Sequence, residues 1–212
     1  MSLRVLAATA GVCAIGWWYS PLSPRVPGAP ALADGVTPGC PMPPRVQAGA
    51  PPLQSAVPAS MSPFRLQAAA LQPLAGFSLQ ARVLAREDYA FGREAALSPT
   101  DLALGWAGMA DEATLARLEI SQPGRWYHYR WQGEPPLPQD EIARSSANMH
   151  LIPADAAVAR ALRTVRPGDR VRVEGWLVEA SAPDGWRWRS SLSRDDQGGG
   201  ACELVYVCAI SR

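Results

Sequence analysis

Two histidines occur in this 212-residue chain, and the second lies in the phrase Ser146-Ala147-Asn148-Met149-His150. In an extended backbone alternate side chains share a face, so Ser146, Asn148 and His150 project to one side. An imidazole beside a hydroxyl or thiol can take up its proton, and a neighbouring amide can hold the ring in one orientation. The candidate catalytic set is His150 as base, Asn148 as its orienting group, and a nucleophile from elsewhere: Ser190, Ser191 or Cys202. Ser190 shares a strand face with Trp188 and is expected to be buried. Ser191 alternates with Arg187 and Arg189, which makes it the more exposed prospect. No Gly-x-Ser-x-Gly nucleophile elbow occurs. The competing reading makes His150 a partly buried residue that ties a loop to the fold.

The other histidine sits in Arg125-Trp126-Tyr127-His128-Tyr129-Arg130-Trp131. Alternation separates Arg125, Tyr127, Tyr129 and Trp131 from Trp126, His128 and Arg130, and one of these faces should meet the core. The other face, with Arg187 and Arg189 alongside, is a candidate surface for stacking sugars or bases. The bland alternative is core packing, with arginine stems lying along apolar surface.

Composition removes several chemistries. All twenty basic residues are arginine, so Schiff-base, P-loop and Ser-Lys chemistry are excluded. From Phe64 onward seventeen arginines face eighteen acids, a balance that draws no nucleic acid. The four cysteines, Cys13, Cys40, Cys202 and Cys208, form no Cys-x-x-Cys pair. Cys202 and Cys208, six apart in an apparent strand, would stand about 20 Å apart if extended. Two buried thiols are the favoured reading; the alternative is that Cys40 pairs with either in an oxidising compartment. Asp195-Asp196-Gln197-Gly198 sets acids beside a glycine turn without the spacing of a calcium loop, and reads as a solvated hairpin. No metal or cofactor is expected.

The elements that must position these residues are mostly short strands. Phe77, Leu79, Ala81 and Val83 alternate with polar residues, which predicts a half-buried strand. Ser98-Pro99-Thr100-Asp101 reads as a helix start, with that helix ending near Gly105-Trp106. A second short helix is expected from Asp111 to Leu118, and a third from Ala154 to Val165. Strands are expected around Leu118–Ser121 and Arg125–Trp131, joined through Pro123-Gly124. At the C-terminal end, Val171 to Leu177 leads through Ala182-Pro183-Asp184-Gly185 to a strand of Trp186, Trp188, Ser190 and Leu192. A glycine-rich turn then precedes a last strand around Leu204 to Val207.

Ahead of this domain the chain changes character. Val5 to Tyr19 is apolar, and at about 1.5 Å per residue it spans roughly 22 Å of helix, against a hydrocarbon core of about 30 Å. Trp17, Trp18 and Tyr19 at its end suit a membrane interface, and Arg4 precedes it. The favoured reading is a retained inner-membrane anchor with the rest of the chain in the periplasm. The alternative is cleavage at Ala31-Leu32-Ala33 and release. Residues 20–63 hold twelve prolines, with PxxP spacings at Pro21–Pro24 and Pro27–Pro30, and are expected to be a disordered linker.

Gly168-Asp169-x-Val171-x-Val173-x-Gly175 resembles a phrase found in OB-like barrels. Asp101-Leu102-Ala103-Leu104-Gly105-Trp106, Ser146 to Pro153 and Trp188-Arg189-Ser190-Ser191 together resemble uncharacterised bacterial proteins with one N-terminal apolar segment. That resemblance implies no activity. The expected architecture is α+β: a small bent antiparallel sheet or OB-like barrel over residues 64–212, with two or three short helices, after an anchor (1–19) and a linker (20–63). The expected role is a membrane-tethered envelope module that binds a protein or glycan partner. The alternative is a periplasmic hydrolase built on His150.

Overall fold

The computed structural model describes residues 3–18, 29–30, 32–33, 39–194, 196 and 198–212. The PxxP spacings that use Pro21, Pro24 and Pro27, and the small-x-small site at Ala31, fall outside the described residues. So do Tyr19 at the end of the expected anchor, and Asp195 and Gln197 of the acidic turn.

Helix α1 spans Leu3–Trp18. Strands β1 (Leu53–Ser55), β2 (Phe64–Arg65) and the long β3 (Ala70–Asp88) follow. Then come α2 (Arg93–Leu97), β4 (Thr100–Gly105), a 3-10 turn (Ala107–Ala110), α3 (Glu112–Leu115), β5 (Glu119–Ser121) and β6 (His128–Arg130). The chain continues with α4 (Gln139–Arg144), β7 (Ser146–Pro153), α5 (Ala156–Thr164), β8 (Arg170–Ser181), β9 (Arg187–Arg189) and β10 (Glu203–Ser211). No helix among the described residues is long and apolar enough to cross a membrane.

Five strands close into a ring in the order β3, β4, β7, β10, β8 and back to β3. Every pair is antiparallel except β7 with β10. The fold is α+β, and its ring is an OB-like barrel with one parallel pair, where a purely antiparallel sheet was the expectation. β3 makes closure possible by its length: Ala70 to Arg82 pairs with β8, and Arg82 to Asp88 pairs with β4. Phe77, Leu79, Leu102, Leu104, Met149, Leu151, Val173 and Val205 fill the interior, which Val158 and Leu162 of α5 close at one end. Asp155 caps α5 by accepting hydrogen bonds from the Ala157 and Val158 amides at 2.7 and 2.8 Å. Such a cap is worth about 1 kcal/mol.

A second apolar cluster lies outside the ring. Leu71, Trp176, Val178, Leu204 and Tyr206 pack there against Met61, Leu66 and Ala69. Here the linker expectation needs correction. Residues 40–63 form no helix, but they lie as a strap across the barrel. Cys40 forms a disulfide with Cys208, Trp176 Nε1 donates to the Pro41 carbonyl at 2.8 Å, and Arg45 pairs with the buried Glu174 at 2.7 Å. The Val46 amide donates to Ser78 Oγ at 2.9 Å, and β1 adds an edge to β3.

The helix expected to start at Ser98 is also corrected. That stretch is β4, a strand buried along its whole length, and the helix (α2) ends just before it. A strand buried on both faces reads as a continuous apolar run, which periodicity alone does not separate from a helix. The Asp111 cap, the β5–β6 hairpin and α5 fall where the sequence puts them, with shorter helices.

Gly175 shows why β8 needs its glycine where it pairs with β10. A Cβ built there would lie 2.1 Å from the Tyr206 carbonyl oxygen and 3.0 Å from Val207 Cα, both backbone atoms that cannot turn aside. Gly175→Ala is therefore expected to lower unfolding free energy by roughly 3 kcal/mol or to prevent folding. Urea unfolding of the two proteins measures it, and equal midpoints would contradict the close approach.

Candidate functional site

The site grows from β4. Asp101 is fully buried on the outer face of that strand, while Leu102 and Leu104 serve the barrel interior. Directly across the ladder on β7 stands His150. Its Nδ1 lies 2.9 Å from Asp101 Oδ2. The other carboxylate oxygen, Oδ1, accepts from Arg125 at 2.9 Å, and the same guanidinium donates to the Ser98 carbonyl at 3.0 Å.

Arg125 is held in turn. Its backbone lies at φ 67°, in the left-handed region that a side-chain-bearing residue rarely adopts. Its amide donates to the Tyr89 hydroxyl at 2.8 Å. The guanidinium sits 4.0 Å from the Tyr89 ring centroid and 5.2 Å from that of Trp188. Trp188 also packs on His150, centroid to centroid 4.7 Å. Strain of this kind persists only where surroundings enforce it, and it gathers at working sites.

Cys202 completes the arrangement. It stands one residue before β10, whose Leu204 pairs with His150 on β7. Its half-buried sulfur lines the same groove as the imidazole. Burial opposes a charge on His150, but the Asp101 carboxylate and the Cys202 sulfur outweigh it, and the His150 pKa is raised from 6.5 to about 9. Glu94, Arg125, Trp126, Trp188, His150 and Cys202 line a groove of about 290 Å³. Such a chain of carboxylate, imidazole and thiol can hold the ring in one tautomer and move a proton off sulfur.

Asn148 enters differently from its expected role. Asp101, on the neighbouring strand, orients His150. Asn148 faces the sulfur instead: its Nδ2 lies 4.0 Å from Cys202 Sγ and donates to the Arg125 carbonyl at 2.9 Å. Gln122 fixes that orientation by donating its amide to Asn148 Oδ1 at 2.5 Å.

Ser191 is not the exposed residue that alternation suggested. It is buried, its hydroxyl donates to Asp196 at 2.5 Å, and its amide donates to the Cys202 carbonyl at 3.0 Å. Ser190 is buried as expected; its hydroxyl accepts from the Leu204 amide at 3.1 Å. Both serines brace the turn that presents Cys202, because the chain dips toward β8 and β10 once β9 ends.

The expected binding surface divides. Trp126 is 45% exposed and lines the groove, as does Arg189. Arg187 and Arg189 both clamp Glu179, the latter at 2.6 Å. His128 and Arg130 lie on the exposed face of β6, in the separate two-stranded sheet, and do not line the groove. Among the described residues, no group of three or more His, Cys, Asp and Glu side chains could hold a metal ion.

Asp101 and Arg125 are the two members the sequence reading missed. Reading β4 as a helix turned Asp101 into a first-turn acid. A lone carboxylate ahead of Leu102-Ala103-Leu104 was the available signal, since an acid inside a buried strand needs a charged partner. The chain matches no family of known proteins, no curated protein and no solved structure.

The raised His150 pKa has a stability consequence. The contribution of a raised group is complete below its unfolded pKa and is lost as pH climbs through its folded one. The stability difference between wild type and His150→Gln should shrink by about 3 kcal/mol between about pH 6 and about pH 10. Urea unfolding at several pH values reads this, and a difference that does not change with pH would contradict the Asp101–His150 pair.

Proposed function

We propose that the outer face of β4, β7 and β10 is a thiol-dependent hydrolytic site, acting on an ester, thioester or peptide carbonyl. The observation that carries this reading is that Asp101 holds His150 at 2.9 Å and that His150 and Cys202 line one groove. Cys202, its proton already given to His150, attacks the carbonyl carbon. That proton then leaves with the departing alcohol, thiol or amine. Water, deprotonated by His150, cleaves the resulting thioester, releasing the acid and restoring the thiol. Asn148 Nδ2, held by Gln122 beside the sulfur, donates to the oxyanion that forms at each step. Arg125 holds Asp101 in place.

The groove also supports a second reading, a module that binds a protein or glycan partner. Its carrying observation is Trp126, a large aromatic left exposed at the groove's edge with Arg189 nearby. The location proposed with either reading is the bacterial cell envelope. There residues 5–19 anchor the chain in the inner membrane with the domain in the periplasm, or the chain is released after signal cleavage. The apolar N-terminal residues and the Cys40–Cys208 disulfide support it, since disulfides persist in oxidising compartments.

Turnover of a panel of activated esters, thioesters and peptides distinguishes the two readings. We expect a covalent acyl adduct on Cys202 by intact mass, and turnover that falls at least about 100-fold in His150→Ala and disappears in Cys202→Ala. Turnover that persists in Cys202→Ala, or none in wild type, would leave the binding module as the reading that stands.

A further inference from the structure

Beside the groove lies a second hollow of about 200 Å³; Cys202 and Trp126 border both, and Asn148 borders the hollow. The geometry points to this hollow as the slot for an aromatic amino-acid side chain, carried on the acyl side of the carbonyl that Cys202 attacks. The inference rests on the thiol-site reading and names its substrate class.

Its size is the first argument. Small-molecule sites usually occupy about 300–1,000 Å³, so this slot suits one side chain better than a whole ligand. Its lining is the second. Trp126, Tyr127 and Tyr129 supply aromatic surface, while Ala143 and Ala147 contribute only methyl groups and leave the space open. Tyr127 and Tyr129 lie 5.6 Å apart by ring centroid, and Tyr129 stacks on Trp131 at 6.2 Å, so the aromatic surface is braced from behind. Rings favour offset and tilted neighbours at these separations, and a planar guest extends the series.

Charge is the third argument. The charged groups at the slot's edge already have partners: Arg194 pairs with the fully buried Glu203, and Asp196 accepts the Ser191 hydroxyl. A charged guest would have to break one of these pairs, whereas a neutral aromatic ring leaves them intact. Position is the fourth. Asn148 stands where the slot meets the sulfur, so a side chain seated among the aromatics places its own carbonyl next to both Cys202 Sγ and the Asn148 amide.

The test uses the full-length protein and two chloromethyl ketones, of N-acetyl-phenylalanine and N-acetyl-alanine. In each the Cys202 thiolate displaces chloride to form a thioether. Iodoacetamide serves as a probe of thiol reactivity without a side chain. The rate of Cys202 modification is followed by peptide mass mapping, which separates it from the free, exposed Cys13. We expect the phenylalanyl reagent to react 10- to 200-fold faster than the alanyl one, the discrimination that apolar pockets achieve. In Ala143→Trp, which fills the slot, that ratio should fall below about 3 while the iodoacetamide rate holds. Equal rates for the two ketones in wild type, with iodoacetamide still fast, would overturn the slot and spare the thiol site. Slow reaction with all three reagents would overturn both. The wild-type ratio decides the matter even if Ala143→Trp does not fold.

Discussion

A carboxylate removed from water has to be met by positive charge, because burying it alone costs several kcal/mol. Asp101 is fully buried, and its surroundings are arranged to meet that demand. Arg125 takes one oxygen and His150 the other. To reach Asp101, Arg125 accepts a left-handed backbone and lies between the Tyr89 and Trp188 rings. To reach it, His150 faces outward from β7 at the position directly opposite on the ladder. Glu94 adds a second carboxylate to the cluster, 3.5 Å from Arg125 Nε.

The barrel supplies the rigidity such a site needs. Neighbouring strands β4 and β7 carry Asp101, His150 and Asn148, so their separations are set by ladder geometry. The segment between β8 and β10 arches over that face and brings in Trp188, the two serines and Cys202. The strap and its Cys40–Cys208 disulfide, which joins residues 168 apart, cover a different part of the barrel, over Trp176 and Tyr206. Cross-linking so distant a pair restricts the unfolded chain and contributes typically about 2–4 kcal/mol.

Legibility in the sequence followed periodicity. Half-buried strands such as Phe77 to Val83 and Val171 to Leu177, and the amphipathic α5, showed their faces plainly. β4 did not, because a strand buried on both sides loses its alternation, and with it went Asp101. His150 and Asn148 were legible from spacing, and Cys202 was among three candidate nucleophiles. Choosing between Ser191 and Cys202 required the path of the chain after β9, which no local pattern encodes. The strap was hidden for another reason. Proline excludes helix from residues 40–63 and leaves ladder pairing only to the short β1, but it does not exclude extended packing, and the other anchors there are single long-range contacts: Cys40 to Cys208, Arg45 to Glu174 and Val46 to Ser78.

The central claim is that Asp101, His150 and Cys202 work as one unit, and a double-mutant cycle on Cys202 reactivity tests it most directly. Alkylation of Cys202 by iodoacetamide would be timed at neutral pH in wild type, Asp101→Asn, His150→Gln and the double variant, each checked for native circular dichroism. Groups that act together are strongly non-additive. Each single substitution should slow alkylation by at least about tenfold, with the double variant no slower than His150→Gln alone. Unchanged rates in the single variants, or two effects that simply multiply, would contradict the account.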